Sequence, residues 1–329
     1  MSRRRHLLLA FSFALVSYGS VAAADEAKPA EVRLDWATYN PSSLVLKRFG
    51  WLEEDLGKDG IKVTWLYSAG SNKANEAISS GSADLASTAG AAALLARTNG
   101  VPLKTVYVFS KPEWTALVVP KDSPLTSVAQ LKGKKIAATR GTDPFFFLLR
   151  ALKEAGLKQS DVEIVNLQHS DGRLALERGN VDAWAGLDPH MAAAELRSGA
   201  RLLHRNIDFN TYGTLNARED FLQKYPATVR RVLAQYPRAA DWIRKHPDEA
   251  VALLAEAGKI DVDVARRQLL ERTQFPDGYD FKPVSVALQT VVPILLSEKL
   301  VASDADPSKA LSELFLERPS GTFLPVGSR

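Results

Sequence analysis

Five times between residues 31 and 199 a short β-rich run enters a loop of small or polar residues, continues as an apolar-periodic helical stretch and stops at a glycine. Strand 31–36 leads through Asn40-Pro41 to a helix over 42–49 closed by Gly50. Strand 61–67 leads through Ser68-Ala69-Gly70-Ser71 to a helix closed by Gly81. Strand 83–87 leads through Thr88-Ala89-Gly90 to a helix closed by Gly100. Strand 135–139 leads through Gly141-Thr142-Asp143-Pro144 to a helix over 145–155 closed by Gly156, and strand 181–187 leads through Asp188-Pro189 to a helix closed by Gly199. An Asn or Asp side chain before proline can cap the unpaired first amides of a helix, and proline is tolerated there because it has no N–H to satisfy. Glycine just past the helix takes the left-handed conformation that ends it.

Strands alternating with helices predict parallel sheets with helices on both faces, the doubly wound α/β class. In open sheets of this kind ligands sit beyond the carboxyl ends of the strands, where helix N-termini converge. Four of the five loops present small or hydroxylated residues there. Exposed backbone donors and the helix dipole make such ends anion sites, and Gly70, Gly90 and Gly141 are expected to let a ligand approach the backbone.

The flanking regions differ. Three arginines, an apolar run from Leu7 to Val16 and Ala22-Ala23-Ala24 read as an export leader cleaved after Ala24. The apolar run is shorter than the ~18 residues that a membrane span needs. From Arg218 onward the pattern is almost wholly helical, with helices expected over 227–245, 247–257, 261–274 and 284–299, packing as a cover on one lobe. The extended segments from Trp114 to Pro120 and from Thr211 to Asn216 read as two crossings. The expected domains are therefore a leader 1–24, a lobe I of 25–115 and 213–329, and an inserted lobe II of 116–212. Cysteine is absent, which excludes disulfides, thiol catalysis and Cys-ligated metal. The formal charge is +4, three units of it in Arg3, Arg4 and Arg5, so the remaining excess gives no case for nucleic acid.

Gly81-Ser82-Ala83-Asp84-Leu85-Ala86-Ser87-Thr88, Leu131-Lys132-Gly133-Lys134-Lys135-Ile136-Ala137, Gly179-Asn180-Val181-Asp182-Ala183-Trp184 and Asp188-Pro189 together resemble the periplasmic binding proteins of nitrate/sulfonate/taurine ABC importers, most of all the aliphatic-sulfonate-binding branch. The resemblance spans residues 31–300. It implies a two-lobed type II binding-protein fold, each lobe a doubly wound sheet, with extra C-terminal helices on lobe I. It also implies a periplasmic, monomeric protein that holds one small organic anion in the cleft and delivers it to a membrane permease with a cytoplasmic ATPase. The family's ligand loops fall on Ser68 to Ser71, Ser87 to Gly90, Gly141 to Asp143, and Asp188 with its neighbours. The sequence departs from the family at Ala89-Gly90, where Gly-Asp is frequent, and at Leu187 and His190, where aromatics are frequent.

A sulfonate suits such loops because it stays ionised and carries no proton, so neutral donors can satisfy its three oxygens. The expected ligand contacts are Trp36, Tyr39, Asn40, Ser68, Gly70, Ser71, Ser87, Thr88, Ala89, Gly90, Trp114, Arg140, Gly141, Thr142, Asp143, Trp184, Asp188 and His190, with Tyr212 a further aromatic beside the cleft. Asp143 and Asp188 are expected chiefly as caps, and Phe145-Phe146-Phe147 as helix packing. No phosphate-binding loop, dinucleotide fingerprint, serine elbow or HExxH motif occurs. His169, His190, His204 and His246 are too scattered for a sequence-local metal site, and neither metal nor cofactor is expected. His169 and His190 fall at strand-to-helix junctions near the expected cleft. The rival reading is an enzyme of the same fold, related to a pyrimidine-precursor synthase, using His169, His190, Asp143 and Asp188 for acid–base work. A third is a protein that presents its ligand to a membrane sensor.

Overall fold

A computed structural model describes residues 27–317; the leader and its cleavage site lie outside them. The strands are β1 (Glu31–Trp36), β2 (Lys62–Tyr67), β3 (Leu85–Ala89), β4 (Leu103–Pro112), β5 (Thr115–Val119), β6 (Lys135–Ala138), β7 (Glu163–Asn166), β8 (Ala183–Leu187), β9 (Arg201–His204), β10 (Gly213–Arg218) and β11 (Thr273–Gln274). They form two sheets, ordered β11-β4-β10-β3-β1-β2 and β7-β6-β8-β5-β9. In the first, β1 runs parallel to β2 and β3, in register from Glu31 opposite Lys62 to Trp36 opposite Tyr67. In the second, β6 runs parallel to β7 and β8. The carboxyl ends of each parallel trio therefore lie side by side, and the loops after them form one rim on each sheet.

The expectation of purely parallel sheets is corrected. β10 lies antiparallel between β3 and β4, and β5 antiparallel between β8 and β9. The cause is the connectivity: β5 is the strand on which the chain enters the second sheet and β10 the one on which it returns to the first. Each becomes an interior strand, fully buried at Leu117, Leu215 and Ala217. The glycines behave as read: Gly50, Gly81, Gly100, Gly156 and Gly199 all have φ between 64° and 86°.

The C-terminal pattern resolves into more pieces than expected. The stretch 261–274 is a short helix Val262–Arg266, a π-turn Arg267–Glu271 and β11. The stretch 284–299 is two helices, Lys282–Gln289 and Val292–Ser297, with Pro293 in the first turn of the second; a proline is tolerated there and not mid-helix. The long helix Pro226–Lys245 packs its Val229, Val232, Leu233 and Tyr236 into the core beneath the first sheet. The segment 260–272 also reaches the second sheet's helix His190–Ser198. Val264 packs there with Ala192 and Ala193, and Arg197 pairs with Asp261 and Asp263. No helix among the described residues is long and apolar enough to cross a membrane.

Candidate ligand-binding cleft

The two rims face each other across a small pocket. Tyr39, Ser71 and Ala89 line it from the first sheet, Thr142, Asp143, Pro144, His169 and Leu187 from the second, and Trp114 from the crossing between them. The space enclosed is that of about one water molecule, so the rims stand nearly closed. Helix N-termini from both sheets reach it: Ser71–Ser79, flanked by Gly70, and Gly90–Thr98, after Ala89, from the first, and Asp143–Glu154, flanked by Thr142, and His169–Glu177 from the second. The first amides of a helix have no intrahelical acceptor, and two opposed positive dipole ends favour an anion between them. The sheet registers put them there, because β2 ends at the first sheet's rim and β6 at the second's.

Beneath the first rim lies a buried polar scaffold. Asp35 Oδ1 accepts from the Ser87 amide and hydroxyl, both at 2.8 Å. Asn40 donates to Ser87 Oγ at 2.7 Å and caps its own helix through Ser43 N, as read from Asn40-Pro41. The Tyr39 hydroxyl donates to the Ser87 carbonyl at 3.0 Å, and its ring meets Trp114 edge-on. The Ala89 amide donates to Ser71 Oγ at 2.9 Å. Burial pushes the Asp35 carboxyl up to about 7 against the Ser87 donors that hold it down. Asp35 was missed in the sequence; the signal was an acidic residue inside a strand otherwise bound for the core.

Several expected contacts hold the structure instead of facing the pocket. The Asp143 carboxylate is not a cap: it accepts from Trp114 Nε1 at 2.8 Å and from the Thr211 amide and hydroxyl, tying the helix start to both crossings. Burial raises its pKa. Asp188, at a cis Asp188–Pro189 peptide, caps Ala192 N and also pairs with Arg272 at 3.2 Å. Burial pushes it up to about 6, against the Arg272 charge that pulls it down. Thr88 is locked in a buried polar cluster with Thr214 and Asn216. A Cβ on Gly90 would stand 2.5 Å from the Thr211 carbonyl, so its bareness serves the returning chain and not a ligand. Trp184 is fully buried in the second sheet's core with Val118 and Met191. Trp36 packs against Tyr67 with the two rings tilted at 44°. Arg140 is exposed over the Phe145 ring, and Tyr212 lines a separate groove with Lys111 and Lys282. Ser68 is buried at the start of its loop, its amide on the Trp36 carbonyl. Gly141, at φ 75°, faces Asn72 and Leu95 of the first lobe. The three consecutive phenylalanines pack in the core, as read.

His169, named among the sequence's histidines but not among the expected contacts, lines the pocket. It is 2 % exposed, and a Cβ built on Gly70 would meet its Nε2 at 2.9 Å, so Gly70 is bare where the opposite rim touches it. Burial, helped by His190, lowers the imidazole to about 3. Half-buried His190, beside Asp171 and Arg173, is pushed down to about 4, chiefly by burial. Among the described residues no group of three or more His, Asp or Glu is placed to hold a metal.

Two mixed sheets joined by two crossings, with a pocket where opposed helix N-termini meet, are the architecture of a two-lobed ligand-binding protein. The family described as NMT1/THI5 like matches residues 50–250. The chain is 34 % identical over 244 residues to a putative aliphatic sulfonates-binding protein of Escherichia coli K12, covering 74 % of this chain and 76 % of that one. Its fold superposes with TM-score 0.77 on the alkanesulfonate-binding protein SsuA from Xanthomonas axonopodis pv. citri bound to MOPS, at 26 % identity, covering 86 % and 98 % of the two chains. It superposes with TM-score 0.74 on the periplasmic aliphatic sulphonate binding protein SsuA from Escherichia coli, at 29 % identity, covering 92 % and 99 %. The chain belongs to the NMT1/THI5-like family and has the periplasmic binding protein fold.

Proposed function

We propose that this protein is the periplasmic solute-binding component of an ABC importer, taking an aliphatic sulfonate or a related organosulfur anion between its lobes. The observation that carries the reading is the pair of helix N-termini at Ser71 and Asp143, contributed by different sheets and opposed across one pocket. The names of the relatives above point to the same ligand class. Residues 25–115 with 213–329 form lobe I, and 116–212 form lobe II; the membership of the two sheets supports this division. The leader is removed after Ala24, and the mature monomer delivers its ligand to a permease driven by a cytoplasmic ATPase. Ser71, Thr142, Tyr39 and His169 contact the ligand, and Asp35, Ser87, Asn40, Asp143 and Trp114 hold those contacts in place. Binding occurs without turnover. Calorimetry with alkanesulfonates, nitrate, sulfate esters and N-protonated buffer sulfonates tests this: a 1:1 isotherm with the ligand recovered intact supports it, and consumption of any of them favours the enzyme reading.

A further inference from the structure

The donor and acceptor roles around His169 follow from one proton. The Thr139 hydroxyl lies 2.7 Å from the Leu167 carbonyl and 3.1 Å from His169 Nδ1. A carbonyl only accepts, so the single hydroxyl proton is committed to Leu167, and Thr139 Oγ1 is left with lone pairs towards the ring. Nδ1 therefore carries the imidazole proton and donates to it. Nε2, buried and without a partner, turns a bare lone pair towards Gly70 on the opposite rim. Asn72 Oδ1, a second buried acceptor without a donor, lies 3.0 Å from the same point. An unsatisfied acceptor at a closing cleft is costly unless the ligand supplies the proton.

We propose that the cleft selects sulfonates that carry their own hydrogen-bond donor, an N–H or O–H close to the anionic group, and that His169 Nε2 with Asn72 Oδ1 accepts from it. This rests on the sulfonate reading above and narrows it. The opposed helix N-termini take the sulfonate oxygens; the acceptor pair reads the rest of the molecule. The ring stays neutral at physiological pH because burial lowers its pKa to about 3. Of the other titratable groups beside it, His190 acts against its protonation, and the Asp143 carboxylate is spent on Trp114 and Thr211. A site that hydrogen-bonds a substrate's polar group rejects analogues lacking it far more strongly than an apolar pocket rejects a missing methylene.

The experiment compares ethanesulfonate, 2-hydroxyethanesulfonate and 2-aminoethanesulfonate on the full mature protein by calorimetry, each in two buffers of different ionisation enthalpy. The expected result is that a donor-bearing ligand binds about tenfold or more tighter than ethanesulfonate, with no net proton uptake. The preference falls to near one in His169→Phe and is partly kept in His169→Gln, whose amide oxygen still accepts. Circular dichroism and melting establish that each variant is folded; should His169→Phe fail to fold, the wild-type preference, His169→Gln and Asn72→Ala carry the test. Equal affinities in the wild type, or a preference that survives His169→Phe, overturn the proposal. So does uptake of one proton with ethanesulfonate, which would make His169 a charged donor. If no sulfonate binds at all, the ligand class itself is wrong, a result distinct from binding without discrimination.

Discussion

Opposed titrations are buried on either side of the pocket. Asp35 is pushed up to about 7 and Asp188 to about 6, so the folded state holds protons that the unfolded chain has lost. Their contribution is full below about pH 4 and disappears as pH rises through those values. His169 and His190 are lowered to about 3 and 4; their contribution is full above about pH 6.5 and is lost as pH falls. Asp35→Asn should therefore gain stability relative to the wild type as pH rises from 4 to 8, and urea midpoints at both ends measure it. His169→Gln should show the opposite tilt, gaining as pH falls from 6.5 to 4. Thr88→Val is expected to lower stability by ~1–3 kcal/mol, because buried Asn216 Nδ2 loses its shortest acceptor, at 2.8 Å, and keeps only contacts of 3.4–3.5 Å. Equal affinity per folded molecule would separate that structural role from ligand contact.

At the scale of elements, what matters is how closely the loops approach. Gly70 has extended backbone, φ 169°, so it is bare for space and not for conformation. Gly70→Ala should leave lobe I folded and weaken ligand binding by about tenfold or more, since the added methyl meets His169 only when the rims close. Titration calorimetry beside a melting curve distinguishes this from misfolding. Gly213, where β10 begins, is different: a Cβ there would lie 2.3 Å from the Phe109 ring and 2.4 Å from Ser110 Oγ. Gly213→Ala therefore belongs with overpacking changes and should cost ~1–3 kcal/mol in denaturant unfolding.

Across the whole molecule the lobes are linked on the far side of helix His190–Ser198 as well as at the crossings. Arg272 is buried between Asp188 and Glu195, whereas the Arg197 pairs with Asp261 and Asp263 are exposed. Removing one partner of a buried pair leaves a stranded charge, so Arg272→Met should destabilise by ~3–5 kcal/mol. Arg197→Ala should change stability by less than ~1 kcal/mol. The pocket is too small as it stands to admit a sulfonate, so entry requires the lobes to separate. A ligand touching both rims then favours the closed arrangement. Small-angle scattering should show a smaller radius of gyration with sulfonate, approaching that of the structure described above. Identical curves with tight binding would place the ligand on one lobe only.

Local signals determined the elements: Asn40-Pro41 capped where read, the terminating glycines took left-handed geometry, and the three phenylalanines went to the core. These outcomes depend on residues a few positions apart, so a linear reading reaches them. Sheet order and the antiparallel placing of β5 and β10 were decided by where the chain crosses between lobes, which no periodicity encodes. The roles of the site residues were decided the same way. Asp143 and Asp188 look alike in sequence, each before a proline at a helix start. Only the fold brings Trp114 and Thr211 to one and Arg272 to the other, from 29, 68 and 84 residues away. His169 is marked in the sequence only by its place at a strand-to-helix junction; its bare nitrogen is a consequence of Thr139, Leu167 and Gly70 meeting around it.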